Sequence, residues 1–284
     1  MILWWLLNLR TIGGMCVINF NKKSFGCFLL IAIILVEILL VLDIHSDFPN
    51  FMIPKKTSAL NYFYFSQSGF SKTMLVVYCI APFIYAYHYV EAKNNGFQNM
   101  MITRLNSQRR YFNRMLLTNA VYVAVTFCVL KSVQLVTCII VINPLDFKDA
   151  IALKAKAPYV LSTNPFINLL LFFVLAILGE IIFSLLVIMV GLYIENTVLF
   201  LGSGLMLSLL GVLIPALANN ALNLKSSILM NSLSISTLIS PGISTLGAYA
   251  PNYGALASYG LSVAFYMILT IGLYFVWHLR FKEA

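Results

Sequence analysis

Apolar residues along this chain fall in long unbroken runs, not in the alternation of a half-buried strand or the stripe of a surface helix. The stretch from Phe28 to Leu42 contains a single charged residue, Glu37. Runs of this kind recur at about 25–43, 73–90, 115–142, 166–192, 197–217 and 259–279. About twenty helical residues, rising 1.5 Å each, cross the roughly 30 Å of hydrocarbon in a bilayer. The pattern therefore predicts an all-α polytopic membrane protein with six transmembrane helices. A β-barrel would instead show segments of about ten residues alternating polar and apolar. The third and fourth spans are longer than a crossing needs, which predicts tilt or extension past the bilayer.

The stretches between the runs are also patterned. Residues 1–24, with Trp4, Trp5, Leu6, Leu7 and Leu9, predict a helix lying in the membrane interface ahead of a six-helix domain over 25–284. Met15 is an alternative start. Lys22 and Lys23 precede an apolar run with no small-x-small cleavage site, so residues 25–43 are expected to remain as the first span and not to be a removed signal. The segment 218–258 carries one charge, Lys225, and is too apolar for a free loop. Its runs Ile228–Ile239 and Ile243–Leu256 are short, rich in serine and broken at Pro241 and Gly242. These features predict a re-entrant helical hairpin in the outer leaflet, allowed where protein covers the irregular backbone. Between spans 2 and 3, the basic loop Glu91–Arg114 places Phe97, Met100, Met101 and Leu105 at the spacing of one helical face. A short amphipathic helix is expected there, entered through Asn94, Asn95 and Gly96.

Composition agrees with the pattern: 61% of residues are hydrophobic and 10% charged, against about a quarter charged in a soluble domain. The formal charge of +9 flanks apolar runs and forms no basic aromatic face, so a nucleic-acid partner is not expected. Alternate connections place Arg10, Lys22, Lys23, Lys93, Arg104, Arg109, Arg110, Arg114, Arg280 and Lys282 on one side. Lys55, Lys56, Lys72, Lys148, Lys154, Lys156 and Lys225 fall on the other, diluted by Asp43, Asp47, Asp146 and Asp149. Basic residues are retained inside, so both termini are predicted to be cytoplasmic, in a cell-membrane, multi-pass chain. The five cysteines are widely spaced and read as packing residues.

Candidate chemistry is sparse. The sequence holds no phosphate loop, dinucleotide fingerprint, zinc-protease motif or C-x-x-C pair, so no catalytic, cofactor-binding or metal-ligating residue is assigned. His45, His88 and His278 are far apart and sit near span ends, where interfacial roles are expected. Charges inside spans are more informative, because an ionised group at mid-bilayer costs about 3 kcal/mol or more. Glu37, Lys131 and Glu180 are the three, at depths of about 18, 24 and 15–18 Å from the cytoplasmic ends of their spans. Two readings stay open. Lys131 bends inward toward a carboxylate and the three form a polar site, or Lys131 snorkels outward and the glutamates are neutral. Gly204, Ser208 and Gly211 form one small-residue face on span 5, suited to close helix packing within the chain or against a second copy. Pro82 is expected to kink span 2 beside Tyr78, Tyr85, Tyr87 and Tyr89.

The loop Glu91-Ala-Lys-Asn-Asn-Gly96-Phe-Gln-Asn-Met-Met-Ile-Thr-Arg104 resembles that of ABC type-2 permeases, the membrane subunits of ABC exporters. The arrangement over nearly the whole chain resembles them too, with an interfacial N-terminal helix, six spans, a minimal connection between spans 4 and 5, and an outer re-entrant segment. The resemblance implies two permease copies, paired as a homodimer, with separate ABC ATPase subunits docked below. ATP and Mg would be bound by the partner, and this chain would hold no cofactor and hydrolyse no ATP. It further implies that Glu91, Gly96, Phe97, Met101 and Arg104 couple to the ATPase, with Glu195 in a second contact. The expected function is alternating-access export of an amphipathic substrate such as a peptide. The alternative is a transporter or channel independent of ATP, which would be expected to show two repeated halves; none is evident.

Overall fold

The structure is a computed structural model that describes residues 22–47, 58–67, 71–81, 84, 87–96, 100, 102–103, 108–142, 161–162, 164–222, 228–242 and 254–283. Every regular element among the described residues is helical. In chain order these are α1 (Lys22–Asp47), α2 (Ala59–Ser66), α3 (Lys72–Ala81), α4 (Tyr87–Asn94) and α5 (Gln108–Val141). They are followed by α6 (Pro165–Gly191), α7 (Thr197–Ala221), α8 (Ile228–Leu233), α9 (Ile235–Ile239) and α10 (Ala255–Glu283).

Five of these helices, α1, α5, α6, α7 and α10, are long and apolar enough to cross a membrane, and the chain is a multi-pass membrane protein. Outward residues on them, such as Ile34, Ile140, Val198, Leu217 and Ile268, are large and apolar, as a hydrocarbon surrounding demands. Of the predicted span over 73–90, the structure describes α3, of 10 residues, α4, of 8, and the helical residue Ile84 between them. The kink expected at Pro82 lies outside the described residues.

Helix α6 is the hub of the bundle and packs against α3, α5, α7, α9 and α10. Its start is set locally: the Asn164 side chain accepts from the amides of Phe166 and Ile167 at 3.0 and 3.4 Å, and Pro165 opens the first turn. Asn196 caps α7 in the same way through Val198 and Leu199. The fit around α6 is close. A methyl group on Gly179 would run into the carbonyl of Leu238 in α9. Along α5, the buried positions Phe112, Met115, Asn119, Val123, Phe127, Lys131, Gln134 and Cys138 recur every three or four residues and turn one continuous stripe inward.

Two segments outside the long helices are buried. Helix α2, in the connection that the sequence reading leaves without structure, packs on α5 with Leu60, Phe63, Tyr64 and Ser66 inside. Tyr62, also in α2, donates a hydrogen bond to Asp47 at 2.8 Å, while Lys72 at the start of α3 pairs with Asp43 at 3.0 Å, so the end of α1 is tied to both helices. Helices α8 and α9 lie against α7 and α10, and α9 also against α6. They cover the first half of the predicted hairpin and end in a turn where Gly242 adopts φ +78°, a value glycine alone takes without strain. Residues 243–253 lie outside the described residues. The predicted interfacial helix over 1–24 does so as well, except that α1 already begins at Lys22.

Candidate functional site

The stripe on α5 carries four polar residues among its apolar ones, and each is buried: Asn119, Thr126, Lys131 and Gln134. Lys131 lies about 15 Å of helix before the end of α5 at Val141. Its side chain turns inward. The Lys131 Nζ donates to Gln67 Oε1 at 2.9 Å and lies over the Phe172 ring at 5.7 Å from its centre. Gln67 Nε2 in turn donates to Gln134 Oε1 at 3.1 Å and to Ser66 Oγ at 3.3 Å. The main chain of Gln67 is also held, because Ser240 Oγ donates to its carbonyl at 2.6 Å. Gln67, just beyond α2, thus joins three parts of the molecule: the α2 connection, the middle of α5 and the turn after α9.

Glu180, on α6, completes the buried cluster electrostatically. It is fully buried and lies within range of the Lys131 charge and of Tyr78 on α3. Neither carboxyl oxygen has a hydrogen-bond partner among the described residues; the same holds for the Tyr78 hydroxyl and Gln134 Nε2. No ion pair joins Lys131 to Glu180 or to Glu37 among the described residues; the hydrogen bond of the amine goes to Gln67. Outward snorkelling of Lys131 is excluded by its burial. Glu37 stands apart on α1, half-buried, beside Thr137 and Cys138 of α5.

At the opposite end of the bundle, α4 is tied to the connection between α6 and α7. Lys93 Nζ donates to the carbonyls of Leu192 at 2.7 Å and Ile194 at 3.5 Å. Asn94 Nδ2 donates to the Glu195 carbonyl at 2.9 Å and to Thr197 Oγ1 at 3.3 Å. Burial lowers the Lys93 amine from its ordinary value, and the nearby Glu195 carboxylate offsets part of that. Gly96 follows with φ +70° and its amide on the Lys93 carbonyl at 3.2 Å, which turns the chain sharply. Met100 is exposed and Ile102 packs inward. Phe97, Met101 and Arg104 lie outside the described residues, as does the side chain of Glu91. Aromatic packing by Phe112 and Trp277, 4.8 Å apart, joins α5 and α10 in the same end, and Tyr193 donates to the Leu273 carbonyl at 2.7 Å.

The small-residue face on α7 turns into the protein. Gly204 and Ser208 are buried, and a Cβ on Gly211 would stand 3.0 Å from Ile235 and from the Tyr266 hydroxyl. His45 is exposed and His278 stacks on Tyr274, and no metal-ligating group of three side chains occurs among the described residues.

The sequence reading found Lys131 and Glu180 by their charge but missed Gln67, Gln134 and Ser240. Gln134 was findable, since it follows Lys131 by three residues on the same inward face; Gln67 and Ser240 reach it only through tertiary contact. Comparison of the chain with family models, with curated proteins and with solved structures finds no match.

Proposed function

We propose that this chain is the permease half of an ATP-driven exporter, in which two copies pair and separate ATPase subunits supply the energy. The observation that carries the reading is the tie of Lys93 and Asn94 to residues 192–197. It puts the entrance to the basic loop and the short connection bearing Glu195 side by side, as a shared docking surface for one partner requires. In this reading α3 and α4 together make a sixth crossing, which leaves both termini in the cytoplasm of a cell-membrane protein. The segment around α8 and α9 re-enters from the outer side. Glu91, Gly96, Phe97, Met101 and Arg104, with Glu195, receive the motion of the ATPase, and the cargo is amphipathic, with a peptide as the leading candidate.

The test is retention of a nucleotide-binding ATPase by the tagged chain in mild detergent, with Mg and ATP present. Gly96→Pro places a residue locked near φ −65° where the chain takes +70° and removes the amide on Lys93. It is expected to abolish ATPase retention, and Arg104→Glu to weaken it, while the helical content of each variant stays unchanged. Failure of the wild-type chain to hold any ATPase, or retention unchanged in both variants, defeats the proposal. A second reading, a transporter or channel independent of ATP, is favoured by the buried Lys131 and Glu180. It requires flux of cargo into proteoliposomes of the purified chain alone, without nucleotide.

A further inference from the structure

We propose that Glu180 is an intramembrane proton-binding site, and that Lys131 moves between Gln67 and Glu180 as the proton binds and leaves. The argument starts from an imbalance. Lys131 and Glu180 are both buried and within electrostatic range, yet the amine is hydrogen-bonded to an amide 2.9 Å away and the carboxyl to nothing described. A buried carboxylate without donors is expensive in hydrocarbon, whereas the neutral acid is tolerated. The arrangement is therefore that of the protonated site: Glu180 carries the proton, and Lys131 has no anion to seek.

Loss of that proton to water changes the preference of the amine. The carboxylate formed is a far stronger acceptor than the Gln67 amide, and the four-carbon stem of Lys131 lets its charge follow. The proton count is simple: one proton leaves the Glu180 carboxyl for solvent, and the ammonium keeps its own. When Lys131 leaves, Gln67 Oε1 loses its donor, and Gln67 is the residue that binds the α2 connection to α5 and, through Ser240, to the turn after α9. Proton release thereby loosens the contact between these two buried segments.

The other titratable or charged groups around the pair are few. Tyr78 of α3 lies within electrostatic range of Glu180, and Tyr266 of α10 within range of Tyr78. The Tyr266 hydroxyl is engaged with the Leu233 carbonyl at 2.9 Å. Tyr64 of α2 is held by Asn168 at 3.0 Å. Glu37 of α1 faces Thr137 and Cys138 of α5. Helices α7 and α9 bring no Asp, Glu, Lys, Arg, His, Cys or Tyr.

The experiment is infrared difference spectroscopy of the full chain in lipid nanodiscs, titrated from acid to alkaline pH. The expected result is a protonated-carboxyl band that disappears at alkaline pH, is absent from Glu180→Gln and is retained by Glu37→Gln. In Lys131→Met the band should persist to higher pH, because the ionised form has lost its counter-charge. If Glu180→Gln does not fold, a band that is retained in Glu37→Gln and moves to higher pH in Lys131→Met still decides, and a retained band that Lys131→Met leaves in place overturns the proposal. A second readout is labelling of Ser240→Cys by a water-soluble maleimide in an otherwise cysteine-free chain. Labelling should rise on proton loss by more than it does when Glu180→Gln is added, which carries the same thiol chemistry. A band that does not titrate, one lost only in Glu37→Gln, or labelling that rises equally with and without Glu180 overturns the proposal. None of these measurements involves an ATPase, so the outcome stands apart from that of the exporter reading.

Discussion

Gln67 is neutral and fully buried, and it is the residue through which a buried cation is satisfied. That makes its loss worse than loss of the cation. Gln67→Leu keeps the Lys131 ammonium and deletes its acceptor; breaking one side of a buried charged interaction destabilises by about 3–5 kcal/mol. Lys131→Met keeps the amide network of Gln67 with Gln134 and removes the charge, with an expected loss of about 1–2 kcal/mol, typical of an interhelical hydrogen bond in a membrane. The double variant should be more stable than Gln67→Leu alone. Thermal unfolding of the three variants in detergent checks the order, and a Lys131→Met chain less stable than Gln67→Leu contradicts it. Lys131 announces itself in the sequence as a charge in an apolar run. Gln67 does not, because an isolated glutamine in a connection has no local signature of burial; its place depends on α2 folding against α5, a contact between residues 64 positions apart.

At the scale of elements, the long helices are legible because each apolar run is longer than any soluble helix core requires; α6 and α7 also start at local signals, Asn164–Pro165 and Asn196. The short buried helices are harder to read. Helices α8 and α9 have 6 and 5 residues, below the length at which helical periodicity separates from chance, and they hold their form by packing and by the Ser234 cap. The close approach of α9 to α6 depends on one missing side chain. Gly179→Ala forces the methyl against the Leu238 carbonyl, and overpacking of this kind costs about 1–3 kcal/mol. Gly202→Ala, on the open face of α7 with nothing near its Cβ, should be neutral or slightly stabilising. Equal unfolding temperatures for the two variants would mean that α9 is not packed on α6 as described. The cap of α7 makes a parallel case. Asn196→Ala removes the acceptor for Val198 and Leu199 and should cost about 1 kcal/mol.

For the whole molecule, the open question is parity, and it turns on the pieces flanking Pro82. Five long helices alone would leave the two ends of the chain on opposite sides of the membrane. If α3 and α4 together make a crossing, the ends share a side. The hydrogen bonds favour the second arrangement: Lys72 at the start of α3 pairs with Asp43 near the end of α1, while Lys93 at the end of α4 holds the carbonyls that follow α6. The end of α1 and the turn after α6 lie at opposite ends of the bundle: α1 runs parallel to α5, with Phe25 4.8 Å from Tyr122 and Glu37 near Cys138, whereas α6 runs antiparallel to it, with Ser184 2.8 Å from Asn119 and Phe172 beside Lys131. In the proposed six-span reading, the chain from Lys72 to Lys93 crosses the thickness between them. Single cysteines at position 46 and at position 195, in a cysteine-free chain, should therefore label from opposite sides of sealed vesicles. Epitope tags at the two termini should both be protected on the same side as position 195. Tags on opposite sides would reduce α3 and α4 to a segment that enters and leaves by one face, and the surface shared by Lys93, Asn94 and Glu195 would then need another explanation than a docking site for an inner partner.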